Sequence, residues 1–479
     1  MRKRSASVLL IMVLILLAGC TGTKGSDPTV PLTPPVFADA KVHDPSVLKV
    51  GQTYYVFGSH LMSAKSDDLI QWTQLSEGVR PGNPLFADPF RELEETFQWT
   101  QSNTLWAADV IQLADGKFYM YYNACKGDSP RSAMGLAVSD RVEGPYRNLG
   151  VFLKSGMDAS EPLADGSLYD ATIHPNVVDP DVFFDKEGKL WMVYGSYSGG
   201  IFILKMNEKT GLPEPGQGYG KRLLGGNHAR IEGPYMLYSP ETDDYYLFLS
   251  FGGLTSDGGY NIRVARSDNP DGPFTDPQGH NMIDAKGAPG TVFDDTSIEP
   301  YGLKLMGGFR WNENADGKAI GYASPGHNSA YYDESAGKYY LIFHTRFPDR
   351  GETYQIRVHL MAMDKNGWPV VAPRRYAGET VEKLDKRELP GSYMLIDHGN
   401  DISADPKRPS MINLEANGKI TGDYSGTWKI NGGYRLDVEI NGENYDGVAI
   451  RGWDEGEDRY TMTFSLLSDK GIAVWGSKV

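Results

Sequence analysis

A turn followed by an aromatic-rich apolar run occurs five times along the 479-residue chain, as KVGQTYYVF, LADGKFYMYY, DKEGKLWMVY, ETDDYYLFL and SAGKYYLIF. No other feature restricts the fold as much, because a unit that returns this often is built to pack against copies of itself. Each phrase follows another short strand-like run, which predicts two strands joined by a tight hairpin. More polar pieces come after, among them SAKSDDLIQW, GLAVSDRVEGPY, GIFILKMNEKTG and IRVARSDNPDGPF. That makes roughly four strands per unit, repeated five times, with no comparable stretch of 3.6-residue apolar period. The expected fold is all-β, a five-bladed β-propeller over residues 39–374, which hides its sheet edges by radial repetition.

The two ends of the chain read differently. MRKRSASVLLIMVLILLAGC has a basic start and an apolar stretch from Val8 to Leu17 that is short for a membrane span. It ends in Leu17-Ala18-Gly19-Cys20, which resembles a bacterial lipoprotein box. That resemblance implies that residues 1–20 are a signal peptide, with Cys20 the lipidated anchor of a cell-surface protein. Residues 21–38, rich in Thr, Gly, Ser and Pro, read as a flexible tether. Only Cys125 then remains, so no internal disulfide is possible, and it reads as a small buried hydrophobe. After residue 375 come short alternating strands, YRLDVEI, GVAIRGW and YTMTFSLL, separated by NGG and DEGED turns. Residues 375–479 are therefore expected to form a small antiparallel barrel or sandwich. Trp428, Trp453 and Trp475 read there as core residues rather than sugar platforms. A net charge of −15 argues against a nucleic-acid partner.

The residues that open the first strand of each unit carry the chemistry. They are His43-Asp44, Trp106 to Asp109, Asp179, Glu232 and His327-Asn328. First strands of a propeller line its central channel, so these openers are expected to face one another near the axis. Asp109 and Asp181 are explained as strand caps. Asp44, Asp179 and Glu232 recur at one place in different units, which capping explains less well. Carboxylates converging in an aromatic-lined channel suit glycoside hydrolysis, where one acid protonates the leaving oxygen and another group activates water or attacks the sugar. GQGYGK at 216–221 lacks the spacing of a phosphate loop, FFDKEGKL at 183–190 lacks that of a calcium loop, and no G-x-S-x-G elbow is present.

The stretches VHDPSV, LWAADV, NVVDPDVFFD, LWMVYGSYSGGI, ARIEGPYM, GHNSAYYD and QIRVHLMAMDKNGWPV resemble glycoside hydrolase family 43, and within it the endo-1,5-α-L-arabinanases. The resemblance implies Asp44 as general base, Glu232 as general acid, and Asp179 as the group that keeps the acid's pKa high and holds it in place. It implies inversion, with the two catalytic carboxyls roughly 6.5–9.5 Å apart. His327, which alone reads as a structural histidine, becomes the ligand of a calcium ion held mostly through waters. Trp106 is implied as a sugar-stacking ring, and Asn176, Ser196, Tyr197 and Ser198 as substrate contacts. Ala108 stands where the family pattern has Pro. The implied activity is cleavage of internal bonds of arabinan, with release of arabino-oligosaccharides. Alternatives are an exo-acting arabinofuranosidase or β-xylosidase of the same fold, and a lipoprotein that binds polysaccharide without cutting it. The insertions at 76–100 and 150–172 are placed to shape or block the groove that separates endo from exo action.

Overall fold

A computed structural model describes residues 33–313 and 319–479; the signal-like segment, Cys20 and most of the tether lie outside them. The five phrases are the hairpins that join the inner strand of each of five sheets to the next strand. Their turns contain a residue of left-handed backbone in every case: Gly51, Gly116, Gly188, Asp243 and Gly337, with φ between 60° and 80°. Four are glycine, for which that conformation is free of Cβ strain.

The first sheet comprises β1 (Ser46–Val50), β2 (Thr53–Gly58), β3 (Met62–Ser66) and β4 (Thr73–Ser76). The second comprises β5 (Asp109–Gln112), β6 (Phe118–Cys125), β7 (Ser132–Ser139) and β8 (Arg147–Ser155). The third comprises β9 (Asp181–Phe184), β10 (Leu190–Tyr194), β11 (Ile201–Met206) and β12 (Lys221–Leu224). The fourth is β13 (Ile231–Ser239), β14 (Asp244–Phe251), β15 (Asn261–Ser267) and β16 (Leu303–Met306). In the fifth, a hairpin from β17 (Phe309–Glu313) runs into the long β18 (Ala319–Asp333), followed by β19 (Lys338–Arg346), β20 (Tyr354–Met363) and β21 (Pro369–Val371). Strands β1, β5, β9, β13 and β18 touch one another in a cycle, which makes the five sheets blades around one axis.

The second strand of a blade is apolar on both faces because neighbouring blades sandwich it. All eight residues of β6, FYMYYNAC, are buried, as are seven of the eight in β14. Burying one such aromatic ring is worth on the order of 2–3 kcal/mol. The inner strands are also tied by buried acids. Asp109 accepts from Ser46 Oγ at 2.5 Å and Val182 N at 2.9 Å, and Asp181 accepts from Met236 N at 2.7 Å. Each acid therefore bonds an inner strand of a neighbouring blade, and both serve the fold, as their sequence context predicts. Closure uses the chain's beginning: Trp72 N donates to Ala38 O, and Ile356 N to Ala40 O, so residues 38–40 run between blades one and five. Phe37, within the stretch read as a tether, lies 3.8 Å under the Arg375 guanidinium.

The segment read as barrel or sandwich is a closed eight-stranded barrel. Its strands are β22 (Gly391–Asp397), β23 (Ser410–Leu414), β24 (Lys419–Gly422), β25 (Gly426–Asn431), β26 (Arg435–Ile440), β27 (Glu443–Asp454), β28 (Arg459–Ser468) and β29 (Ala473–Lys478), with β22 paired to β29. Trp428, Trp453 and Trp475 are 4%, 4% and 0% exposed, so none offers a face to a sugar. Trp475 packs on Phe309 in a core shared with blades four and five. The fully buried Arg263 and Lys304 of blade four donate to main-chain oxygens of Asn400, His398 and Asp401, which satisfies both cations without a buried carboxylate. The insertion at 76–100 carries two short helices, α1 (Pro89–Glu92) and α2 (Glu94–Thr100), while 150–155 belongs to β8.

Candidate active site

Asp44, Asp179, Glu232 and His327, drawn from blades one, three, four and five, line a single cavity of about 480 Å³ on the axis. Asp44 (φ 58°), Asp179 (φ 56°) and His327 (φ 44°) all adopt left-handed backbone. Asp and His enter this region more readily than most residues, yet it costs roughly 1 kcal/mol or more, and such strain concentrates where function fixes a side chain. In blade four the left-handed residue is Gly233 (φ 58°), one position after Glu232, where the pairing of β13 with β14 shifts register. This bulge turns Glu232 toward the axis.

Each carboxylate has a distinct environment. Asp44 is 6% exposed, with Oδ1 3.1 Å from His327 Nδ1, Oδ2 2.8 Å from His43 Nδ1, and a hydrogen bond received from Ser59 Oγ. Burial pushes its pKa up, but the charges of His327 and His43 outweigh this and hold Asp44 well below the usual carboxylate range. Its backbone N–H donates to His344 Nδ1 at 3.1 Å, and His344 stacks on His43 at 3.8 Å. Glu232 accepts from Ser196 Oγ at 2.7 Å on Oε2 and from Tyr260 hydroxyl at 2.8 Å on Oε1. Burial raises Glu232 despite these bonds. Asp179, which accepts from Gly233 N at 3.3 Å, is pushed up to about 8, first by burial and then by the charges of Glu232 and Asp44. At neutral pH the group therefore contains one firmly ionised carboxylate, Asp44, beside a pair that retains a proton. Burial opposes the charge on His327, yet Asp44 and Asp179 carry its pKa up to about 9.

The remaining expected contacts reach the same cavity. Trp106 is half-buried there, pinned by its indole N–H to Cys125 O at 3.3 Å. Asn176 lines the wall with Oδ1 held by Ser132 Oγ. Tyr197 lines it in left-handed backbone, with its ring edge-on to Phe293 at 5.6 Å, and Ser198 lies beside it. Ser196 also faces the cavity, but its hydroxyl is committed to Glu232, so it positions the acid. Residues the sequence did not single out include Tyr260, whose ring packs against Gly326, where an added Cβ would lie 2.0 Å from the ring. Val292 and Phe293, 64% and 52% exposed, form an apolar rim beyond the reach of any repeat pattern. Cys125, read as a buried hydrophobe, is buried and also lines the cavity.

Calcium is tested here by the polar atoms around His327. His344, whose Nδ1 accepts from the Asp44 N–H, has its other ring nitrogen, Nε2, buried without a hydrogen-bond partner among the described residues. Such atoms are paired with ordered water in most folded proteins. Ligand atoms of His43, Asp44 and His344 lie within 4.8 Å of one another, and Asp44 also reaches His327, so the donor set on this wall suits a cation.

The sequence profile of the glycosyl hydrolases family 43 matches residues 33–296, and that of a C-terminal lipocalin-like domain matches residues 373–476. The extracellular endo-α-(1→5)-L-arabinanase 2 of Bacillus subtilis is 61% identical over 444 residues, covering 93% of this chain and 94% of its own. A crystal structure of a family 43 glycoside hydrolase from Bacillus licheniformis superposes with a TM-score of 0.90 at 64% identity, covering 93% of this chain and 99% of that one. The endo-1,5-α-L-arabinanase from Thermotoga petrophila superposes with a TM-score of 0.89 at 52% identity, covering 93% and 100%.

Proposed function

The chain belongs to glycosyl hydrolase family 43, and on that premise we propose that the axial carboxylates perform inverting hydrolysis of internal α-1,5-L-arabinofuranosidic bonds in arabinan. One observation carries this reading: three carboxylates from three blades share one cavity while their environments drive their protonation apart. Asp44, ionised, takes a proton from water. Glu232, raised, gives a proton to the departing sugar oxygen. Asp179 bonds the Gly233 N–H at the bulge, and its burial beside Glu232 with mutual repulsion keeps a proton within the pair. Trp106 supplies a ring face for a sugar, with Tyr197, Ser198 and Asn176 around it. Linear arabinan digested briefly is expected to yield a ladder of arabino-oligosaccharides. Arabinose as the sole early product would replace this reading with the exo-acting one.

His327, neutral once an ion displaces its proton, would hold a calcium ion, whose charge would take over from the imidazolium in favouring the ionised forms of the neighbouring carboxylates. Pre-incubation with EDTA is expected to cut hydrolysis at least tenfold, with recovery on adding calcium in excess. Activity indifferent to EDTA, in protein shown by elemental analysis to be free of calcium, removes the ion from the reading.

The extracellular relatives support secretion. Leu17-Ala18-Gly19-Cys20 supports the finer reading that the protein is anchored through a lipid on Cys20. Among the described residues no helix is long and apolar enough to cross a membrane. Cys20→Ala is expected to move the protein from the membrane fraction of producing cells to the medium; unchanged partition would dismiss the anchor.

A further inference from the structure

A second cleft, of about 250 Å³, lies where β17, β20 and the segment after β21 meet the β27–β28 turn of the barrel. In a chain of net charge −15, four arginines line it: Arg350, Arg357, Arg374 and Arg375. Three carboxylates answer them. Asp39 accepts from Arg375 at 2.7 Å and Arg357 at 3.2 Å, Glu455 from Arg375 at 3.2 Å, and Asp454 from Arg374 at 2.8 Å. Among the described residues Arg350 has no carboxylate partner; its exposed guanidinium lies 5.0 Å over the Phe347 ring, which also carries Arg357 at 4.7 Å.

The unmet hydrogen bonds have one sign. Arg374 Nη1, Arg357 Nε and Trp311 Nε1 belong to cleft-lining side chains 4–5% exposed, and none has an acceptor among the described residues. Leaving a buried donor unpaired costs about 1–3 kcal/mol. Burial pulls Arg357 and Arg374 below their usual pKa, with Arg375 adding to the fall of Arg357, whereas, against burial, Glu455 and Asp39 lift Arg375 above its own. Guanidinium groups beside aromatic faces in a space the size of one sugar match a small oxyanion, a carboxylate or a phosphate.

We propose that this cleft binds a small oxyanion, either the carboxylate of a uronic acid or free phosphate. The site shares no residue with the catalytic cavity, so it stands or falls independently of the hydrolytic reading. The purified protein would be titrated with galacturonate, inorganic phosphate and neutral arabinose at constant ionic strength, followed by calorimetry and melting temperature. Saturable binding of galacturonate or phosphate is expected, weakened tenfold or more in Arg350→Gln, which should still hydrolyse linear arabinan at the native rate. Galacturonate alone would identify the sugar acid, and phosphate alone the free ion. No saturable binding of either anion, or equal binding by Arg350→Gln, would overturn the proposal.

Discussion

Asp44→Ala is expected to slow arabinan hydrolysis by roughly 10³- to 10⁴-fold, the upper range for loss of a positioned proton acceptor. The reason lies in the balance of forces on this one group. Burial alone would protonate Asp44, and His327 and His43 reverse that by charge at 3.1 and 2.8 Å. The other two axial carboxylates, Asp179 and Glu232, are both raised, so neither matches Asp44 as a proton acceptor. Alanine at φ 58° adds backbone strain, so Asp44→Asn is the companion variant, because Asn tolerates the left-handed region. Both should retain the circular dichroism of the native protein. Hydrolysis above about one per cent of the native rate in either variant would remove Asp44 from the role of base.

Much of this site was legible in the sequence because a repeat converts sequence position into spatial position. Once five hairpins are recognised, the openers of the inner strands must surround an axis, whatever separates them in the chain. The repeat places Asp44, Asp179, Glu232 and His327 toward the axis, where all four line one cavity, whereas their separate roles rest on the family resemblance. Tyr260 escaped because it lies just ahead of the third strand of its blade, where aromatic residues usually serve the core. Only the coordinates reveal that its hydroxyl meets Glu232. The bond from Ser196 to Glu232, beside its expected role as a substrate contact, is illegible for a related reason: a serine's partner depends on the facing blade, which local sequence does not encode. Val292 and Phe293 sit in an insertion without periodicity, so nothing marked them as rim. Alternating strands fit barrel and sandwich alike, and closure rests on the long-range pairing of β22 with β29. Helix α2, with seven residues, is too short to display an amphipathic period.

Glu232→Ala is expected to have a comparable effect on arabinan, yet a different dependence on the leaving group. A sugar alkoxide is a strong base and departs poorly unless protonated as the bond breaks. A nitrophenolate departs unaided. The variant should therefore lose about 10³-fold or more on arabinan while keeping a much larger share of its rate on a nitrophenyl arabino-oligosaccharide. Asp44→Ala should lose both substrates together, because water must be activated whichever group leaves. The contrast separates the two roles where simple inactivation does not, since removing Asp179 would also inactivate by disturbing the Glu232–Gly233 bulge. Ser196 and Tyr260 sharpen the test. They donate to both oxygens of Glu232, which fixes its direction but also favours the ionised form, so burial must prevail for the acid to hold its proton. If Glu232→Ala slowed both substrates to the same degree, proton donation would have to come from the neighbour that also holds a raised pKa, Asp179.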